Sequence, residues 1–361
     1  MQPQALRIYA GPAARARLRE RGLRADDVRV VPAAAAGPKG LVLHPLDRFI
    51  FGHWLAHGTR PVHLLGASIG AWRMASACLP DADAALAQMA HDYIHQRYEH
   101  PPNKMPSPRH VSEVFGALVR ERFGHRSAEV LGHPRFRLHL FTSRGRHWLL
   151  RREGRWRTPL GCVGAFAANA VNRGALGAWL ERVVFHDARA PSLPLQLRDF
   201  RTQRVTLGAH NFCAALLASC SIPFALDAVH DIPGAPPGAY WDGGITDYHL
   251  HLDYASMDEG LVLYPHFQRK IIPGYLDTLL PRRRHPDDRL ANVVVLAPDA
   301  DWVRRALPHG KLPDLDDFKA YAGDLQGRIA VWSRAVAESQ RLAEEFDAVL
   351  AQGPFDALPL A

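Results

Sequence analysis

Cysteine is scarce in this sequence: Cys78, Cys162, Cys213 and Cys220 are the four in 361 residues, with no C-x-x-C pair and no regular spacing. That excludes a disulfide framework and a cysteine-based zinc site. Each lies in an apolar stretch that reads as helix, where a free thiol behaves as a small hydrophobe. Reduced core cysteines and a cytoplasmic location are the expectation. Long apolar runs are missing as well. None approaches the roughly 18 residues needed to span a bilayer, and the first ten residues show no cationic segment leading into an apolar one. Neither a membrane span nor a secretory signal is expected. Acidic charge is in the minority, 36 Asp and Glu against 44 Lys and Arg, for a formal net charge of +8. The excess is mostly arginine, clustered at 15–24, 144–157 and 282–284. Such patches attract phosphate, but no aromatic-basic RNA motif, zinc finger or helix-turn-helix accompanies them. Nucleic acid is therefore not expected; solvated surface is the ordinary reading, and anionic lipid headgroups come next.

What is present is a βαβ order. Val28 to Val31 reads as a buried strand, followed by a small-residue turn at 32–40 and apolar residues at helical spacing over 41–57. A second strand, 61–65, runs into a glycine turn at 66–70 and a helix at 71–79. Strand, glycine turn and helix, twice over, is the mark of parallel βαβ units. Further on, the pattern predicts helices over 81–98, 111–123 and 211–221, and a loop over 101–108. It predicts strands over 136–141, 238–242, 261–264 and 292–296. Residues 148–150 are the expected hairpin partner of the 136–141 strand, 162–184 a long helix, and 325–351 one long amphipathic helix. No repeat, low-complexity tract or linker divides the chain. A single α/β domain is expected over 1–361, with its core at about 28–300 and a helical C-terminal segment at about 310–361. The last helix would pack on the domain or pair with a second copy.

Two turns carry chemistry. Gly66-Ala67-Ser68-Ile69-Gly70 is a G-x-S-x-G pentapeptide between an apolar strand and a helical run, the context a nucleophile elbow requires. A plain structural turn is the competing reading of the string alone. Upstream, Ala36-Gly37-Pro38-Lys39-Gly40 joins a strand to a helix N-terminus, whose free amides suit an oxyanion or a phosphate. It lacks the length and terminal Ser/Thr of a P-loop. Oxyanion donors are then expected from Ala36, Gly37, Lys39 and Gly40, with Ile69 beside the serine.

The base has two readings. An α/β-hydrolase triad would use a late histidine, and His249, His251, His266, His285 and His309 are available among 20. Alternatively, Trp241-Asp242-Gly243-Gly244 ends a strand at a glycine turn, fixing a carboxylate at the carboxyl edge of a parallel sheet. Tyr240 and Trp241 would supply the apolar setting that raises its pKa. Asp-Gly is also the commonest turn dipeptide.

With the Ala218-Ser219-Cys220-Ser221-Ile222-Pro223 helix end, these blocks complete a set of four in a fixed order. From about Val28 to Leu250 the sequence resembles the patatin-like phospholipase family. The resemblance implies a three-layer α/β/α fold with a mainly parallel central sheet. It also implies a serine hydrolase that cleaves acyl esters of lipids through a Ser-Asp dyad without histidine. By position it makes Ser68 the nucleophile and Asp242 the base, puts Ala36, Gly37 and Lys39 in the oxyanion turn, and gives Gly66, Gly70, Gly243 and Gly244 the motif glycine positions. No metal or organic cofactor is implied. The partner is a lipid or acyl-ester substrate, with peripheral contact to an anionic membrane. Two departures stand out: Ala35-Ala36-Gly37 replaces the family's three glycines, and Ile245-Thr-Asp-Tyr-His replaces the usual ending after the Asp-Gly-Gly turn. A Ser-His-Asp esterase or thioesterase and a catalytically weak lipid-binding protein are the alternatives. Phe49, Phe51 and Trp54 read either as an apolar landing surface or as core at helical spacing.

Overall fold

The structure, a computed structural model, describes residues 4–101, 105–283 and 287–360; His285 and Arg284 lie outside them, as does part of the 101–108 loop. Among the described residues one sheet holds eleven strands: β1 (Leu6–Ala10), β2 (Val28–Ala33), β3 (Val62–Gly66), β4 (Phe136–Gly145), β5 (Leu180–Asp187), β6 (Thr202–Leu207), β7 (Val229–His230), β8 (Ala239–Asp242), β9 (Leu261–Pro265), β10 (Val293–Pro298) and β11 (Leu358–Pro359). The order is β11-β1-β10-β9-β2-β3-β4-β5-β6, with β8 paired to β4 and β7. The strands from β10 to β4 are parallel neighbours, while β1 runs antiparallel to β10, and β5 and β8 antiparallel to β4. The protein is thus α/β with a mixed, mostly parallel sheet. All residues of β3, β5, β9 and β10 are buried, so both faces of the sheet are covered, as parallel strands require.

The expected βαβ units at β2 and β3 are present. Four expectations need correction. Residues 162–184 are not one helix: Arg157–Val171 is helical, but Asn172 leaves helical angles and its side chain accepts the Gly174 N–H (2.6 Å). The β-branched Val183-Val184 then belongs to β5. Residues 148–150 form a turn, and the antiparallel partners of β4 are β5 and β8. The C-terminal helix is two, Leu325–Glu338 and Gln340–Gln352. Between them the Ser339 hydroxyl donates to the Ala335 carbonyl at 2.7 Å, a bond that competes with the backbone ladder. The sheet also reaches past 28–300, because β1 and β11 bring both ends of the chain to one edge.

Phe49 and Trp54 pack their rings on Phe346 of the last helix, with centroids 6.0 and 5.5 Å apart, and Phe51 packs on Phe136 at 5.8 Å. They are core, not a landing surface, and the last helix packs on its own domain. Cys78, Cys162, Cys213 and Cys220 are free thiols. No described helix is long and apolar enough to cross a membrane.

Candidate active site

Ser68 sits between β3 and the helix Ile69–Ala77 at φ 56°, ψ −132°. For a residue with a Cβ this backbone costs on the order of 1–3 kcal/mol and persists only where neighbours impose it. The two motif glycines show how. A Cβ on Gly70 would lie 2.0 Å from the Ala33 carbonyl oxygen, and one on Gly66 would lie 2.4 Å from Ala71 Cα. The helix therefore starts closer to β2 and β3 than any side chain allows. The Ser68 N–H is held at 3.0 Å by the Ser219 carbonyl and at 3.1 Å by the Ser219 hydroxyl oxygen.

Asp242 arrives from the opposite direction. β3 runs parallel along the first half of one edge of β4, ending with Gly66 opposite Leu140. β8 runs antiparallel along the second half of that edge, ending with Asp242 opposite Thr142. β5 occupies the other edge. The C-terminal ends of β3 and β8 thus converge head-on, two residues apart on a shared partner strand. The carboxylate comes from an antiparallel strand and not, as expected, from the carboxyl edge of a parallel one. One carbonyl ties the two turns together: Ser219 O accepts both Ser68 N–H (3.0 Å) and Gly243 N–H (3.1 Å). The Asp242 N–H reaches the Ser221 carbonyl at 2.8 Å, and the Cys220 thiol the Ser68 carbonyl at 3.2 Å. The helix end at 218–223 is the clamp that holds the Ser68 and Asp242 turns together. Nothing in the spacing of the sequence assigns Ser219 that part, beyond a small polar residue closing an apolar helix.

The carboxyl of Asp242 is buried, and burial pushes its pKa up to about 7; the Ser68 side chain and the Gly244 N–H, 2.6 Å from Oδ1, oppose the rise. Among the described residues Oδ2 has no hydrogen-bond partner, so it is free to accept one. Behind it, the Ser143 hydroxyl donates to the Asp242 carbonyl (2.9 Å) and touches Thr246 (2.9 Å), which donates to Asp247 (2.8 Å). Arg182, fully buried, closes this chain on Asp247 and Asp199. Thr246 and Asp247, in the stretch that follows the Asp-Gly-Gly turn, thus brace the Asp242 backbone through Ser143.

At the expected oxyanion turn the glycine is needed for its backbone. Gly37 has φ +53°, while a Cβ there would meet only Leu315 at ordinary contact, 3.5 Å. Ala35 N–H is already bound to the Tyr248 carbonyl (2.8 Å), and Pro38 has none. Among the described residues Ala36, Gly37 and Ile69 N–H have no acceptor, and Gly37 and Ile69 line the same cavity as Ser68. Gly40 is a packing position, 3.4 Å from Ile69 Cγ2 for an added Cβ. The Lys39 ammonium lies 5.5 Å over the Phe267 ring, and Lys39 does not line the cavity. The helix that follows the turn, His44–Phe49, is tied to the helix Ile69–Ala77 by the buried pair Asp47–Arg73, two bonds of 2.6 and 2.8 Å. Asp47→Ala strands a buried guanidinium and is expected to lower stability by about 3–5 kcal/mol in urea titration.

The cavity over Ser68 measures about 600 Å³ and is walled mainly by Trp72, Tyr93, Phe115, Ile222 and Phe318. Among the described residues no histidine lines it. His249, His251 and His266 are buried elsewhere, and burial holds each below its ordinary range. His249 Nδ1 lies between the Lys270 carbonyl and the Ile272 N–H, and His309 is exposed, 3.0 Å from the Tyr321 hydroxyl. His285 is outside the described residues. Compared with models of known protein families and with curated protein sequences, the chain matches none.

Proposed function

We propose that the protein is a serine acyl hydrolase of the patatin-like kind, with its three-layer α/β/α fold, cleaving carboxylic esters of lipids through Ser68 and Asp242. One observation carries this reading. A serine on a strained strand-to-helix turn lines an apolar cavity, and the turn is tied to that of a buried carboxyl whose pKa is raised to about 7. A carboxylate with an ordinary pKa is too weak a base for a hydroxyl; one poised near the working pH is matched to the task.

The reaction is an acyl transfer in two steps. Ser68 Oγ attacks the ester carbonyl while Asp242 Oδ2 takes its proton. Gly37 and Ile69 N–H, with Ala36 N–H as a third donor, stabilise the oxyanion, each worth on the order of 3 kcal/mol in barrier. The C–O bond to the alcohol then breaks, and Asp242 returns the proton to the departing oxygen. Water repeats the sequence on the acyl-serine and releases the fatty acid. The cavity takes the acyl chain, with apolar walls and few polar groups.

The test is release of p-nitrophenol or fatty acid from medium-chain esters across pH. kcat/KM is expected to rise through an inflection near 7, where Asp242 loses its proton, and to stay high above it. His249→Ala and His309→Ala are expected to keep the activity of the parent, once folding is checked by circular dichroism. Loss of activity in a histidine variant with its fold intact would point to the triad esterase instead. Vesicle binding without turnover would point to a lipid-binding protein.

A further inference from the structure

The helix Arg157–Val171 is apolar on the wrong side. A surface helix normally buries one stripe and shows polar residues to water. This one buries Gly161, Ala165 and Asn169, yet its outward stripe is Leu160, Val163, Ala167, Ala170 and Val171, and residues 158–172 include no charged side chain. The turn that precedes it adds two tryptophans. Trp148 is 61% exposed, Trp156 72%, Leu160 59% and Val163 66%. Single exposed hydrophobes need no explanation; a contiguous patch of them marks a binding surface.

The surroundings identify what binds. Arg151, Arg152 and Arg155 are exposed beside the tryptophans and have no carboxylate partner among the described residues. Glu153 is the only acid in 145–172, and its carboxylate is occupied by the Ala228 N–H at 3.0 Å. Arg155 lies 5.5 Å over the Trp156 ring and Arg157 5.5 Å over the Trp148 ring. Rigid aromatics at one level with cations among them suit a phosphate-bearing interface, where an indole sits at headgroup depth. The helix that carries the patch also lies beside the cavity, with its buried side toward it. Pro223 lines both the cavity and a small crevice against Cys162 and Ala165 of this helix, and its neighbour Phe224 is an exposed residue of the mouth.

We propose that this face is where the protein docks on an anionic lipid bilayer. Leu160 and Val163 enter the acyl boundary, Trp148 and Trp156 sit among the headgroups, and Arg151, Arg152 and Arg155 meet the phosphates. At 15 residues the helix lies in the interface and does not cross it. The inference extends the acyl-hydrolase reading, because it names the surface on which the lipid would be met, but its test needs no turnover.

The test is flotation of the full chain carrying Ser68→Ala with phosphatidylcholine vesicles, with and without phosphatidylglycerol. Binding is expected with the anionic vesicles and reduced by added salt. Trp148→Ala with Trp156→Ala should weaken it at least about tenfold. Arg151→Gln, Arg152→Gln and Arg155→Gln together should remove the preference for phosphatidylglycerol, about ten- to hundredfold. These positions are on the surface, and thermal melts of the variants should match the parent. Equal binding by the tryptophan variant, or no flotation with either vesicle, overturns the proposal. So does a dimer that the tryptophan variant alone dissolves, since the face would then cover a second copy. A parent that floats but hydrolyses nothing sinks the hydrolase reading and leaves the docking face; one that cleaves soluble esters without floating does the reverse.

Discussion

Ser68→Ala and Asp242→Asn are each expected to lower kcat/KM on a medium-chain ester by on the order of 10⁴-fold, and the second is expected to be more stable than the parent at pH 8. The size of the loss follows from residues that act as a unit: with either partner gone, what remains is the oxyanion donors and substrate binding. The stability gain follows from the cost of the buried charge. Unfolded, the carboxyl titrates at its ordinary 3.8; folded, burial raises it to about 7. Between those values the folded chain holds a proton that the unfolded chain has released, so this group's contribution to stability falls as pH rises from about 4 to 7 and is constant above. The whole fall is at most roughly 4 kcal/mol. Asparagine fits the same space and abolishes the titration. Urea titrations of parent and Asp242→Asn at pH 5 and pH 8 read this directly: the gap between the two should widen by roughly 3 kcal/mol from the first to the second. A gain in stability beside a loss of activity is what a group held for chemistry and not for folding should show.

Gly70→Ala is expected to damage structure and chemistry together. Its Cβ would lie 2.0 Å from the Ala33 oxygen and 2.5 Å from the Ala33 carbonyl carbon, and both atoms are backbone at the end of β2. Either the nucleophile helix or the strand that leads to Ala36 and Gly37 must move. Overpacking of this kind costs about 3 kcal/mol, and a shift of about 1 Å at reacting groups costs on the order of 10²-fold in rate. Gly132→Ala is the control. Nothing lies within 4 Å of a Cβ there, and the change should stay within about 0.5 kcal/mol and leave the rate alone.

Local patterns in the sequence mark both halves of the candidate site. The apolar run before Gly66 and the glycines around Ser68 fix a strand, a sharp turn and a helix, because only that sequence of elements explains small residues at those spacings. The meeting of Ser68 with Asp242 is not legible. It depends on β8 running antiparallel along the half of β4 that β3 leaves open, a pairing between residues about a hundred positions apart. The same β4 accounts for the misread stretch at 162–184. Residues 180–187 are a strand because β4 offers them a partner, and the small residues before them carry helical spacing into the region with only Asn172 and two glycines to stop it. The cavity wall is also beyond the sequence, since Trp72, Tyr93, Phe115, Ile222 and Phe318 come from five separate segments. Phe49, Phe51 and Trp54 gave two readings at helical spacing, and their burial against Phe346 and Phe136 decides for core.

The most direct measurement is covalent labelling with a fluorophosphonate at pH 8, followed by peptide mapping. If Ser68 and Asp242 form the dyad, the adduct maps to Ser68, disappears in Asp242→Asn, and persists in His249→Ala, His251→Ala, His266→Ala, His285→Ala and His309→Ala. An adduct on another residue, or one at Ser68 that survives Asp242→Asn and is lost with a histidine, contradicts it.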